Sequence, residues 1–263
     1  MIGAALGAAG KTLRGLGAGL ADLFLPNVCA GCGQRLAGAE GLCDECGVRL
    51  LSLVATPYCP RCGSSVGPGV AVREEGCRGC PVPLGRFVRV VRLGPYADPL
   101  RPILRELKFR RQEAMVRRLG HMLALAVLSQ CPGENFDLVM PIPMHWWRRL
   151  LRGCDHSRLL ASALASELRL PLGHELARIR HTPQQAHLPR SRRMENVRGA
   201  FSARGSTALQ GAVVLLVDDI TTTGATASEA ARALLDAGAT RVTLAVAAKV
   251  DPPRAYSQQL RTP

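Results

Sequence analysis

Two aspartates, four threonines and a glycine crowd into nine residues, Asp218–Thr226, directly after the apolar run Gly211–Val217. A buried strand that ends this way delivers its carboxylates to the C-terminal edge of a sheet, where open α/β folds take their ligands. The turn that follows opens a helix. Its backbone N–H groups and the helix dipole cradle a phosphate, the hydroxyls of Thr221, Thr222, Thr223 and Thr226 add donors, and Ala225 opens the helix. Gly224 permits close backbone approach. Asp218 and Asp219 are then placed to accept hydrogen bonds from ribose hydroxyls beside that phosphate. A helix cap at Asp219 or Thr226 would explain one polar residue, but not two acids and four threonines in order. The lysine and glycine spacing of a Walker loop is absent.

The second chemical signal is sulfur. Eight of ten cysteines fall in four C-x-x-C pairs: Cys29/Cys32, Cys43/Cys46, Cys59/Cys62 and Cys77/Cys80. Four thiolates satisfy tetrahedral zinc with no open position, which makes such sites structural. Consecutive pairing closes the shortest loops and predicts two zinc ions. So small a segment lacks core residues, and metal binding would supply its folding free energy. Cys131 and Cys154 stand alone and read as small buried side chains.

The elements that must position these groups are legible by period. Phe87–Leu93 and Phe136–Ile142 read as strands, and Gly211–Asp219 as a central one. Helices are expected over Gln112–Ser129 and from about Asp155, the latter burying Leu159, Leu160, Ala163, Leu164 and Leu168. A helix after the threonine loop stops at Gly238, and Arg241–Val250 forms the next strand. The expected fold is α/β, a parallel sheet flanked by helices and preceded by a small cysteine-rich domain. The expected boundaries are a lead-in over 1–21, ribbons over 22–85, the α/β domain over 86–250 and a loosely ordered tail over 251–263.

No run is long enough to cross a bilayer, so a soluble protein is expected. Met1–Leu25 reads as a short helix, not a signal peptide, because no basic stretch precedes its apolar run. The net charge of +14 is almost wholly arginine, with lysine only at positions 11, 108 and 249. Such an excess attracts polyanions, although an Ala/Arg/Gly-rich composition alone does not name one. Arg148, Arg149 and Arg152 are candidates for contacting a diphosphate or DNA, with Trp146 and Trp147 beside them. The stretch Arg178–Arg198 carries six arginines against Glu195 alone, which favours a substrate flap or a groove for single-stranded DNA.

The strand, paired acids and Thr-Gly-x-Thr loop resemble the phosphoribosyl-pyrophosphate (PRPP) motif of type I phosphoribosyltransferases. With the cysteine pairs, the chain from about residue 20 to 250 resembles the ComF family, in which a double zinc ribbon precedes a phosphoribosyltransferase domain. Supporting segments are Leu107–Arg110, Pro141–His145, Thr182–Ala186 and Asn196–Phe201. The family's usual Arg-Gly-Phe-Asn-Gln is replaced here by Arg152-Gly153-Cys154-Asp155-His156. The resemblance implies a cytoplasmic protein that binds PRPP with Mg²⁺ and handles imported single-stranded DNA in competence or DNA utilisation. A DNA-uptake helicase or recombination mediator is the implied protein partner. Two readings stay open: a phosphoribosyltransferase, and a DNA-binding accessory protein whose loop is only a ligand or regulatory site. Thr222 stands where purine-salvage relatives carry an acidic residue.

Overall fold

The computed structural model describes residues 27–36, 41–67, 70, 72, 75–81, 85–107, 113–145, 154–182, 189 and 192–252. Met1–Leu25, Trp146–Arg149, Arg152 and Pro183–Ala186 lie outside the described residues.

Four parallel strands form the main sheet: β1 (Arg89–Pro95), β2 (Leu138–Pro141), β5 (Val213–Thr221) and β6 (Arg241–Lys249), in the order β1-β6-β5-β2. β5 and β6 are the inner strands and are apolar over most of their length, as strands covered on both faces must be. Residues of alternating parity on β5 serve two cores. Leu215 and Val217 face one core, which includes α3 (Glu113–Gln130) and α4 (His156–Leu168), whereas Val214 and Leu216 face the core beneath α6 (Ala225–Asp236). A short antiparallel pair, β3 (Leu176–Arg178) with β4 (Phe201–Ala203), lies on the α6 side, with α5 (Arg193–Val197) between them in sequence. Among the described residues no helix is long and apolar enough to cross a membrane.

The α4 helix corrects one expectation. Leu160, Ala161, Leu164 and Ala165 are buried, but Leu159 is 41% exposed. Asp155 caps the helix by accepting the Arg158 N–H, and the cap brings His156 and Ser157 inward, so the buried stripe passes beside Leu159.

The cysteine-rich segment repeats one turn twice. Cys29 N–H donates to Gln34 O at 2.8 Å and Gly33 N–H to Cys29 O at 2.8 Å. Cys59 N–H donates to Ser64 O at 2.9 Å and Gly63 N–H to Cys59 O at 2.8 Å. Both glycines take positive φ, +78° and +74°, which the return of the chain requires. Neither turn is a separate bead. Cys29, Ala30, Leu42, Cys46 and Leu50, the last two from α1 (Asp44–Val54), share a core with α2 (Leu100–Glu106), α3 and α4. The second turn is bonded to β1 and its approach: Val90 N–H donates to Pro60 O at 2.6 Å, and Arg61 donates to the Phe87 and Val88 carbonyls.

The first tail residue is also tied down, against the expectation of loose order there. Asp251 accepts the Ser65 N–H at 2.8 Å and lies 3.6 Å from the Arg92 guanidinium. Arg92, fully buried on β1, donates to Ser65 Oγ at 2.7 Å and lies 4.8 Å over the Tyr58 ring. Burial lowers the Arg92 pKa, and the Asp251 charge opposes that shift.

Candidate ligand site and metal centres

β5 carries Asp218 and Asp219 to the C-terminal edge of the sheet, and Gly224 (φ +79°) swings the chain into α6. Gly224, at the N-cap, offers α6 no side-chain acceptor, so the acceptors at the helix start come from the loop around it. Thr222, Thr223, Gly224 and Thr226 are half-buried and share the lip of this turn. Thr221 does not join them: it is the last residue of β5, 5% exposed, in register with Lys249. Ala225 is buried, and its N–H donates to Thr223 Oγ1 at 3.4 Å, which turns that hydroxyl across the helix start.

The two carboxylates have different surroundings. Asp218 accepts the Ser157 hydroxyl at 2.8 Å and the Asp219 N–H at 3.0 Å. It keeps some exposed surface, but protein hems in the carboxyl itself. That burial, reinforced by the Asp219 charge, pushes its pKa well above the carboxylate range, against the lowering effect of Ser157. Asp219 accepts the Ile220 N–H at 2.7 Å and borders a small apolar recess walled by Leu104, Leu119, Leu160 and His156. A pair in which one carboxyl is held toward neutrality can donate as well as accept, and an arriving cation would favour its ionised form. Ser157, the partner of Asp218, was not among the residues singled out in the sequence. A small polar residue in the first turn of a capped helix was the only available signal.

Arg148, Arg149 and Arg152 fall outside the described residues. The arginines of 178–198 divide. Arg178 donates to buried Thr182 at 2.6 Å and stacks over Phe201 at 5.3 Å, while Arg180 donates to the Asn196 and Arg198 carbonyls. These two hold the β3–β4 region together, so their donors are engaged within the fold. Gly199 is held in turn by Glu229 of α6, which accepts its N–H at 2.5 Å and pairs with Arg232 at 2.7 Å.

The thiols gather into two tetrads, Cys29/Cys32/Cys43/Cys46 and Cys59/Cys62/Cys77/Cys80, each with its sulfurs within 4.8 Å of one another. Soft sulfur donors at this closeness, with no vacant position, fit tetrahedral zinc. Hydrogen bonds favour one thiolate in each tetrad, while burial and the neighbouring sulfurs push Cys46 and Cys62 the other way. Burial raises the Cys29 thiol, but N–H groups of Cys43, Cys32 and Gly31 outweigh it and bring the pKa to about 6. Hydrogen bonding from Cys62, helped by backbone donors, brings Cys59 to about 4 despite burial. Cys43 also caps α1, accepting the Cys46 N–H at 3.5 Å, so a metal ligand starts the helix that packs on β1.

Residues 155–259 match the phosphoribosyl transferase domain family, and residues 20–81 match the double zinc ribbon domain family. The sheet and the tetrads thus define a double-zinc-ribbon protein with a phosphoribosyltransferase-type domain. Competence protein F of Haemophilus influenzae is 31% identical over 216 residues, covering 80% of this chain and 91% of that one. DNA utilization protein YhgH of Salmonella typhi is 31% identical over 226 residues, covering 84% of this chain and 96% of that one. The chain belongs to the ComF family of these proteins. A solved glutamine phosphoribosylpyrophosphate (PRPP) amidotransferase from B. subtilis overlaps 51% of this chain and 26% of its own at 25% identity, with a TM-score of 0.35. That overlap is too slight to bear on the assignment.

Proposed function

We propose that the chain binds a 5-phosphorylated ribose, PRPP foremost, at the turn between β5 and α6, and that it serves in the handling of imported single-stranded DNA in the cytoplasm. The observation that carries this reading is the joining of paired carboxylates to an uncapped helix start through a left-handed glycine. The 5′-phosphate would sit against the N–H groups and hydroxyls of Thr222–Thr226, with Asp218 and Asp219 beneath the ribose hydroxyls. Mg²⁺, when bound with PRPP, would neutralise the diphosphate. The chain's own part is to orient the sugar and to hold negative charge under a ring that becomes cationic if the diphosphate leaves. The names of the relatives, competence and DNA utilization, supply the setting. The excess of arginine agrees with a polyanionic partner.

Calorimetric titration with Mg²⁺ and PRPP tests it. Wild-type protein is expected to bind. Asp219→Asn combined with Thr223→Val removes a charged acceptor and a donor, and affinity should fall at least about 100-fold, since each charge-assisted hydrogen bond contributes about 1.5–3 kcal/mol. No heat with wild type, or equal binding by the double variant, would reject the site. Pyrophosphate release in the same mixture separates an enzyme from a ligand-binding protein.

A further inference from the structure

The described part of β6 contains a single lysine, and it is buried. Lys249 ends the strand at 3% exposure, and its ammonium donates to the carbonyls of Thr222 and Val250. A buried ammonium is costly unless it is hydrogen-bonded, so its partners are part of its design. One of them is the first residue of the threonine loop. The Thr222–Thr223 peptide is trans, because Asp98–Pro99 is the cis bond recorded in the described chain. In a trans peptide the C=O and the following N–H point in opposite directions. A Thr222 carbonyl drawn inward to Lys249 therefore turns the Thr223 N–H outward, toward the lip where Thr222, Thr223 and Gly224 lie.

The other side of the lysine is the second metal knuckle. Its stem crosses Gly63, the residue after Cys62, where an added Cβ would stand 3.5 Å from Lys249 Cδ and 2.8 Å from Val90 Cγ1. The strand end is fixed as well: Tyr96 N–H donates to Lys249 O at 2.7 Å, and Val250 N–H to Thr221 O at 2.8 Å. The lysine is thus wedged between the knuckle, two strand ends and the loop. Its charge, held in a low-dielectric setting behind the loop, also favours an anion in front of it.

We propose that Lys249 is a positioning residue for the threonine loop: it orients the Thr222–Thr223 peptide so that an N–H faces an incoming phosphate, and it couples that peptide to the second cysteine knuckle. The role in ligand capture rests on the ribose-phosphate reading above; the role in holding the loop does not. Hydrogen exchange on full-length protein reads the second directly. Lys249→Met keeps the stem and removes the donor. It is expected to speed exchange of the Thr221–Thr226 segment at least about tenfold, with zinc content unchanged, while Lys249→Arg restores most of the protection. Lys249→Ala, which also takes the stem away from Gly63, should speed exchange in the same segment and at the Gly63 N–H of the knuckle. Unchanged loop exchange in Lys249→Met, or acceleration spread evenly over the whole chain in both Lys249→Met and Lys249→Ala, would overturn the proposal. Ribose 5-phosphate is the ligand probe, and its affinity should fall about tenfold in Lys249→Met. If wild type takes up no ribose 5-phosphate, the ligand reading falls, and the exchange measurement still decides the role of the lysine.

Discussion

Replacing Cys59 with serine is expected to leave the purified protein with one equivalent of zinc instead of two, and to lower its Tm by about 10 °C. Cys59 is wholly buried within its tetrad, lies 3.7 Å from the Cys80 sulfur and accepts the Cys77 N–H at 3.3 Å. Serine at this position offers a poor ligand and leaves a cavity. Structural zinc contributes about 10–16 kcal/mol to the folding of isolated zinc-finger peptides. Here the surrounding sheet holds part of the turn in place, so a loss of about 4 kcal/mol is the more reasonable scale. For a chain of this size each kcal/mol moves Tm by about 2–4 °C. The loss should spread to the sheet edge, because the same turn supplies the Pro60 carbonyl and the Arg61 side chain that hold β1 and its approach. Cys154→Ser is the control and should keep both equivalents, since Cys154 contacts His156 outside either tetrad. Two equivalents of zinc in Cys59→Ser would contradict the assignment of that tetrad.

Asp251→Ala should destabilise the protein by about 3 kcal/mol, because it leaves the Arg92 charge buried without its counter-ion. The side chains of Arg92 and Asp251 are 0% and 8% exposed. The cost comes from stranding a charge and not from losing a contact, so a second substitution should repair it. Arg92→Met in the Asp251→Ala background replaces the ion with an apolar chain of similar length and should recover most of the loss. Thermal unfolding of the wild type, the two single variants and the double variant closes the cycle. If Asp251→Ala melts with wild type, the pair is not the clamp between the second turn and the sheet.

Where the determinants are local, the sequence carried them. The residues of β5, the threonine turn and the first turns of α6 are contiguous, so the apolar run, the paired acids and the glycine announce both the strand and the turn at its end. The cysteine turns are equally local, and each closes on hydrogen bonds within a few residues. Long-range pairings left no such trace. Ser65 and Asp251 are 186 residues apart, and Ser157 and Asp218 are 61 apart. Nothing in the residue types tells that Arg92, in a strand that also opens on Arg89, meets an aspartate that looks like the start of a tail. Lys249 reads only as the polar end of β6 until the fold brings Thr222 and Gly63 to it. Arginine count cannot sort roles for the same reason: Arg178 and Arg180 spend their donors on Thr182 and on backbone carbonyls, which composition does not reveal. The small elements α2, β3 and β4 were also missed, since segments of three to seven residues are too short for a clear hydrophobic period.

The central claim is that a ribose 5-phosphate lodges where β5 passes into α6. A crystal structure of the full chain grown with Mg²⁺ and PRPP tests this most directly. The account predicts density for the 5′-phosphate within about 2.7–3.2 Å of the loop N–H groups, with the ribose over Asp218 and Asp219. A fully bound PRPP held elsewhere, with this turn unchanged and empty, would contradict it.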